Sequence, residues 1–456
     1  MQKNVSENQK YYHKIAKKYR NKINFFKVQE YMRKNIDENY SELNKTIYFT
    51  SIMVIGPILI SYVVYILRDA EKRKIKKLYF LSRDGYILCK IAKILCIRYK
   101  LPIECKYLYV SRLALRAPLY YINKDEAIKY LCESSYKVTP NIILKRAGII
   151  EEKERIILDQ LKCKTKNEIL NENDIQEFVE KLIDNDIFDK EAYNYSKTKF
   201  NCISKYFKQE GLDSEKEYAI VDVGWMGSMQ RHMSGILSNM GIKKSLKGYY
   251  FGMFKNADYE NGEYNCFYFS KDKYSKNRVF FSNNLFECMC SANHGMTIDY
   301  KIMHDEKIVP VLKEFKNEWN VDLQINTIEK FVENFVEYNN WEDIDETVLI
   351  KIVKEISIKF MMFPDETEAY AYGNIPFCDD PTESYKLKLA EVLSKDELIK
   401  YNILYKVYKN LFFRGKESES NKSFWINGSI QLSEVKHKKM FSIFCILSEY
   451  LHYLKI

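Results

Sequence analysis

The chain has 456 residues, 46% of them hydrophobic and 29% charged, which gives it a sizeable core and excludes global disorder. Lys and Arg number 72 against 62 Asp and Glu, a net charge of +10 that suits an anionic substrate or membrane surface. That excess is spread along the chain, and no zinc-finger, RNP or helix-turn-helix pattern occurs, so nucleic acid is not an expected partner. The eleven cysteines are scattered, the nearest pair being Cys288 and Cys290. With no signal-peptide pattern, this points to a reducing cytoplasm rather than to a disulfide or zinc framework.

Residues 1–46 are polar, with Tyr, Phe and Lys at helical intervals, and predict one or two helices packed on the main body. No charged residue falls between Lys45 and Arg68, and Ile47 to Leu67 is long enough to cross a bilayer. Thr50, Ser51, Gly56, Pro57 and Ser61 interrupt it, however. The segment reads as a loop at Gly56-Pro57 leading into a buried core helix, with Pro57 at the first helical position. Leu78 to Leu81 is a buried strand that stops at Ser82-Arg83-Asp84-Gly85, and Tyr86 to Ile97 is a helix with Ile87, Ile91, Ile94 and Leu95 on one face. A second apolar run, Tyr107 to Val110, predicts a strand ending in Ser111-Arg112, with Arg116 one helical turn further on.

From about 121 to 215 the pattern is helical and charged, an insertion between two core strands. The core resumes at Tyr218 with a strand, Asp222 at its end, a turn containing Gly224, Trp225 and Gly227, and a helix from Ser228. Gly248 to Gly252 reads as a further strand, and Ile298 to Leu312 as a hairpin around His304 to Lys307. The core is thus expected over 47–310, followed by a helical region over 311–456 that is punctuated by Phe363-Pro364 and Pro376. Its last segment sets the basic patch Lys436 to Lys439 before an amphipathic helix, which reads either as a packed helix or as a contact with an anionic membrane surface.

A strand, a short Gly-bearing loop and a helix together offer backbone N–H groups and a helix N-terminus to an anion. Arg83, Arg112 and Arg116 suit bidentate phosphate recognition better than lysines would, although Arg112 equally suits a structural ion pair. Glu287 reads as a general base or as a solvated or capping carboxylate, and His294, before Gly295, as a turn residue or a catalytic one. Trp225 either stacks on a sugar or fills space under the turn. Asp343-Ile-Asp345-Glu-Thr347 matches the nucleophile motif of HAD phosphatases, but that chemistry needs a buried strand, and the preceding Asn339 to Glu342 is polar. A helix cap is the expected role.

The order strand, SRDG loop, helix, strand, VSR, strand, VDVGWMGS, helix resembles the type I phosphoribosyltransferase arrangement. Gly56 to Leu59, Phe80 to Gly85, Tyr109 to Pro118 and Val221 to Gln230 more closely resemble the motifs of a family from bacterial surface-polysaccharide gene clusters. Many of its members are labelled HAD-type hydrolases because they carry a fused phosphatase domain. The resemblance covers most of residues 50–300. It implies a phosphoribosyltransferase-like α/β core with a mostly parallel sheet, and transfer of 5-phosphoribose from phosphoribosyl pyrophosphate (PRPP) to a glycan hydroxyl, with Mg²⁺ as cofactor. A separate phosphatase would then leave a ribofuranoside.

The same resemblance assigns Arg83, Asp84 and Gly85 to pyrophosphate, Asp222 to the ribose hydroxyls, and Gly227, Ser228 and Met229 to the 5-phosphate; Ser82, which precedes the first loop, is a further substrate-binding candidate. Gly224, Trp225 and Gln230 share that segment, and Ser111, Arg112 and Arg116 join the phosphate contacts. Asp84 and Asp222 are the expected Mg²⁺ ligands and, with Glu287, the expected catalytic residues. The chain departs from the usual PRPP loop at Val221, where a second acidic residue stands, and at Met229, where the loop ends in Thr. A phosphohydrolase and a non-catalytic interaction protein are the alternative expectations. The expected location is the cytoplasm, at the inner face of the membrane if the last helix touches it.

Overall fold

Residues 6–455 are described by a computed structural model of the chain, apart from 136, 164, 256–261, 384 and 402–422. Five parallel strands form the central sheet: β1 (Lys77–Leu81), β2 (Glu104–Leu108), β3 (Tyr218–Asp222), β4 (Lys247–Gly252) and β5 (Glu263–Phe269), in the order β2-β1-β3-β4-β5. Successive side chains of a strand point to opposite faces, so the continuous apolar runs of β1 and β3 feed two cores at once. Leu78, Phe80, Ala219 and Val221 enter one core; Tyr79, Leu81, Tyr218 and Ile220 enter the other. The sheet expected to be mostly parallel is wholly so. The predicted hairpin stands apart from it as the antiparallel pair β6 (Thr297–Ile302) and β7 (Ile308–Leu312).

The helices follow the chain. α1 (Glu7–Tyr19), α2 (Phe25–Lys34) and α3 (Glu42–Thr50) precede α4 (Gly56–Lys72), and α5 (Gly85–Tyr99) joins β1 to β2. Between β2 and β3 run α6 (Arg112–Arg116), α7 (Leu119–Ile122), α8 (Lys124–Leu131), α9 (Pro140–Arg146), α10 (Glu151–Gln160), α11 (Glu172–Ile183) and α12 (Asp186–Glu210). Leu131, Ile143, Ile157, Val179 and Phe188 give α7 to α12 a core of their own. α13 (Ser228–Asn239) joins β3 to β4, α14 (Asn283–Met289) follows β5, and α15 (Val321–Tyr338), α16 (Glu346–Met362) and α17 (Glu366–Gly373) follow the hairpin.

Three sequence expectations are corrected. Gly56-Pro57 is no loop: α3, a π-helical turn over Ser51–Ile55, and α4 make one helix, Glu42–Lys72. Pro57 has no N–H to donate, and the widened turn accommodates this, with Gly56 N–H reaching back to Ser51 O. The helix is apolar and long enough to cross a membrane, but 94% of its most apolar window is buried within the protein, where it serves as a core helix.

β2 lies earlier than Tyr107 to Val110. It is an edge strand paired with β1 alone from Lys77↔Glu104, so it needs no continuous apolar run. β5, where no strand was expected, is the opposite edge; its first half is mixed and partly buried, and Phe267 to Phe269 is buried.

The sheet order fixes where a ligand goes. From β1 the chain crosses to β2 on one side, whereas β3 lies on the other, so the carboxyl ends of β1 and β3 diverge around a crevice. Open α/β sheets bind ligands at such a switch point.

Candidate active site

The two loops at this crevice are built alike. Ser82 to Asp84 leaves β1 and runs into α5 at Gly85; Val223 to Gly227 leaves β3 and runs into α13 at Ser228. Neither helix has a side chain capping its first turn, which leaves the positive dipole end of both starts without a side-chain partner, although Tyr86 N–H donates to Arg83 O at 2.9 Å. Each loop contains a cis peptide, Ser82–Arg83 and Gly224–Trp225. Gly224 is obligatory: its φ is +146°, and a Cβ would sit 2.3 Å from Gly252 O at the end of β4. Gly227, φ +67°, supplies the left-handed turn that starts α13.

Between the loops lies a cavity of about 300 Å³. Of the residues singled out from sequence, Ser82, Arg83, Asp84, Ser111, Arg112, Arg116, Asp222, Gly224, Trp225, Ser228, Met229 and Glu287 line it. They come from the chain following β1, β2 and β3, including the starts of α6 and α13, and from α14, and Ser82 and Glu287 lie more than two hundred residues apart. Gly85, Gly227 and Gln230 stand behind the wall. Gln230 is fully buried; its amide donates to Leu246 O at 3.1 Å and accepts from the Tyr250 hydroxyl at 2.9 Å, tying α13 to β4.

Six carboxyls line the cavity; Glu133, Asp380 and Glu383 are held in ion pairs, whereas Asp84, Asp222 and Glu287 make none among the described residues. Asp222 is buried at the end of β3, with one oxygen accepting from Val223 N–H at 2.8 Å. Burial pushes its carboxyl up from 3.8 to about 7; Glu287 adds to the rise, while Val223 N–H and Arg112 offset part of it. Asp84 is pushed well above the usual carboxylate range, first by removal from solvent and then by Glu287 and Asp222, against Arg83 and Arg112. Two neighbouring carboxyls that resist ionising are an environment waiting for positive charge. Glu287 is held in place: the Trp225 indole N–H donates to its Oε1 at 2.8 Å. Trp225 itself packs among Phe254, Phe269, Phe281 and Phe286, so it fills the space under the turn and orients Glu287 from there.

Other predicted residues are committed to the frame. The Ser82 hydroxyl donates to Val110 O at 2.6 Å, locking the β1 loop to the chain after β2. Ser111 caps α6 and donates to Thr297 O at 2.6 Å. Arg116 is buried in a two-pronged pair with Glu133, at 2.5 and 3.1 Å. Arg112 makes no ion pair among the described residues and lies exposed on the wall, with Glu287, Glu133 and Asp84 as its electrostatic neighbours. His294 sits outside the cavity among Tyr86, Tyr107 and Tyr109, 2.8 Å from the Tyr107 hydroxyl. Asp345 caps α16 by accepting from Thr347 N–H at 2.9 Å, far from any strand end, as expected for a cap.

Sequence reasoning missed Arg231 and Lys255 on the same wall, and a strap that crosses the mouth through Cys378, Asp380 and Glu383. Arg231 was legible, being one helical turn from Ser228. The strap was not, since nothing local marks it. Glu383 pairs with Arg83 at 2.6 Å, and Asp380 pairs with Arg146 of α9 at 2.7 Å in full burial. A larger cavity, about 860 Å³, lies elsewhere, against Asn171, Phe424 and Cys445. It gathers no strand ends; of the helix starts on its wall, Glu172 is closed by a capping box and Asn283 by Ser282, and the uncapped one at Ile426 begins a helix of only seven residues. Chemistry belongs to the smaller one. The sequence matches no protein-family model and no curated protein.

Proposed function

We propose that this protein is a PRPP-dependent phosphoribosyltransferase acting on a glycan hydroxyl in surface-polysaccharide assembly, on a phosphoribosyltransferase-like core. The observation that carries the reading is the pairing, at one switch point, of two uncapped helix starts with two neighbouring high-pKa carboxyls and the arginines Arg83 and Arg112. A ligand with a phosphate at each end and hydroxyls between matches that sequence of groups. In this reading the α5 start and Arg83 take the pyrophosphate, Asp222 takes the ribose hydroxyls, and the α13 start with Ser228 takes the 5-phosphate.

Mg²⁺ uses one or two carboxylates and completes its sphere from substrate phosphates and water. Asp84 and Asp222 fit that demand, being close, poorly solvated and without an ion-pair partner among the described residues. Among the described residues no group of three or more ligand side chains would hold an ion unaided, so the substrate would be needed to complete the site. Bound there, Mg²⁺ would neutralise charge on the leaving pyrophosphate.

The acceptor oxygen forms its bond to C1 as the C1–pyrophosphate bond breaks, in line, which inverts the anomeric centre from α to β. Arg83 and the α5 start face the charge that grows on the leaving group. Glu287, oriented by Trp225, takes the acceptor proton. A second cavity of about 150 Å³ shares Arg83, Asp84, Arg112 and Glu287 with the first and continues past Phe315, Trp319 and Phe377. Half-buried aromatic faces of that kind suit a sugar ring.

The test is incubation with PRPP, Mg²⁺ and candidate oligosaccharides, followed by mass spectrometry for a phosphopentose adduct and by calorimetry for PRPP binding. An adduct with pyrophosphate release is the expected result. Absence of PRPP binding would overturn the reading, and phosphate release from a phosphoester without acceptor would replace it with a phosphohydrolase.

A further inference from the structure

The last helix, Lys438–Lys455, leaves an apolar stripe exposed along its outer face. The face it packs on the body presents Ser442, Cys445 and Ser448, each 7% exposed or less. Phe441 and Ile446 also pack on the body, but five further apolar side chains point the other way: Met440, Ile443, Leu447, Leu451 and Leu454 are between 42% and 59% exposed. At 3.6 residues per turn these five fall in one sector of about 80° that runs the length of the helix, opposite the packed face. A soluble surface helix turns such a stripe inward. Here nothing among the described residues covers it.

The charges around the stripe favour one occupant. Exposed Lys436 and Lys439 stand at its start, and half-buried Tyr450 flanks it. Glu449, the acidic residue of this helix, lies on the far side, next to Ser448, so the apolar sector carries no negative charge. A second copy of the chain is the weaker fit, because five side chains on one helix fall well short of the roughly 800 Å² per partner that stable dimers bury. An anionic lipid surface needs no such area: it accepts a straight apolar stripe at the acyl boundary, with lysines at the headgroups.

We infer that this helix is an interfacial anchor that lays Met440, Ile443, Leu447, Leu451 and Leu454 into an anionic membrane surface. The inference is independent of the catalytic reading. It is tested by flotation of the full chain with phosphatidylcholine vesicles, with and without about a third of phosphatidylglycerol. Binding is expected to the anionic vesicles, about ten-fold stronger than to the neutral ones and weakened by salt.

Leu447→Gln/Leu451→Gln and Lys436→Gln/Lys439→Gln should each reduce binding about ten-fold while leaving the melting temperature unchanged, since these side chains touch water. Equal binding by wild type and the Leu447→Gln/Leu451→Gln variant would overturn the proposal. So would a wild-type dimer that this variant converts to monomer, with no vesicle binding by either.

Discussion

The loops after β1 and β3 have the same backbone plan, yet they hold their position by opposite means. The first carries its chemistry on side chains: Arg83 and Asp84 reach into the cavity, and Arg83 is already in the grip of Glu383. The second carries it on backbone. Its Trp225 is packed into an aromatic cluster, its Gly224 is pressed on Gly252, and Tyr62 of α4 donates to Asp222 O at 2.7 Å just before the turn. A side-chain loop can lose a group and stay folded. A backbone loop cannot lose its packing without losing its shape, and the two therefore fail differently under mutation.

The largest effect is expected where the backbone loop is tightest. Gly224→Ala places a Cβ 2.3 Å from Gly252 O at a φ that disfavours any side chain, and should destabilise the protein by about 3 kcal/mol or more. Chemical denaturation measures it; an unchanged midpoint would mean that the loop is not held as described. On the other loop, Arg83→Ala should leave the midpoint nearly unchanged, because its partly exposed pair with Glu383 contributes little. It should instead weaken binding of Mg-pyrophosphate by about ten- to a hundred-fold, the effect of losing a charge-assisted hydrogen bond. A drop in stability without a drop in affinity would reverse the contrast between the loops.

Asp222 tests the electrostatics of their junction. Between 3.8 and about 7 its folded carboxyl keeps a proton that the unfolded chain has lost, so stability falls as pH rises through that window. Asp222→Asn is neutral throughout and does not suffer this loss. Wild type and variant should melt together near pH 4, and the variant should become the more stable by on the order of 2–4 kcal/mol above pH 7. A gap that closes with rising pH would show the carboxylate to be stabilised rather than desolvated.

The two loops also mark what a sequence discloses. Both were legible because strand, turn and helix are adjacent in the chain, and Ser82 to Gly85 and Gly224 to Ser228 carry their own punctuation. The inner strands β1, β3 and β4 were legible for the same reason, since burial on both faces demands unbroken apolar runs. The edge strands were not: β2 and the first half of β5 are only partly buried and carry no unbroken apolar run, and the buried Phe267 to Phe269 is too short a run to mark a strand by itself. The fusion of α3 with α4 escaped notice because Gly-Pro signals a break, and only the π-helical turn at Ser51–Ile55 removes it. Least legible was the strap. Glu383 lies three hundred residues from Arg83, and no local pattern announces a pair made by packing alone.

That strap bears on the first loop directly. The Glu383 carboxylate, 14% exposed, sits 2.6 Å from Arg83 and 3.4 Å from Lys313, occupying the side of the guanidinium that an incoming phosphate would use. Binding an anion at Arg83 then means exchanging one negative partner for another, and part of the gain is lost in breaking the first pair. Glu383→Gln keeps the shape and removes the charge, so Mg-pyrophosphate should bind about two- to five-fold more tightly by calorimetry, within the range of a partly solvated ion pair. Weaker binding would carry the opposite lesson: Glu383 would be orienting Arg83 for its ligand, and the side-chain loop would depend on its surroundings as much as the backbone loop does.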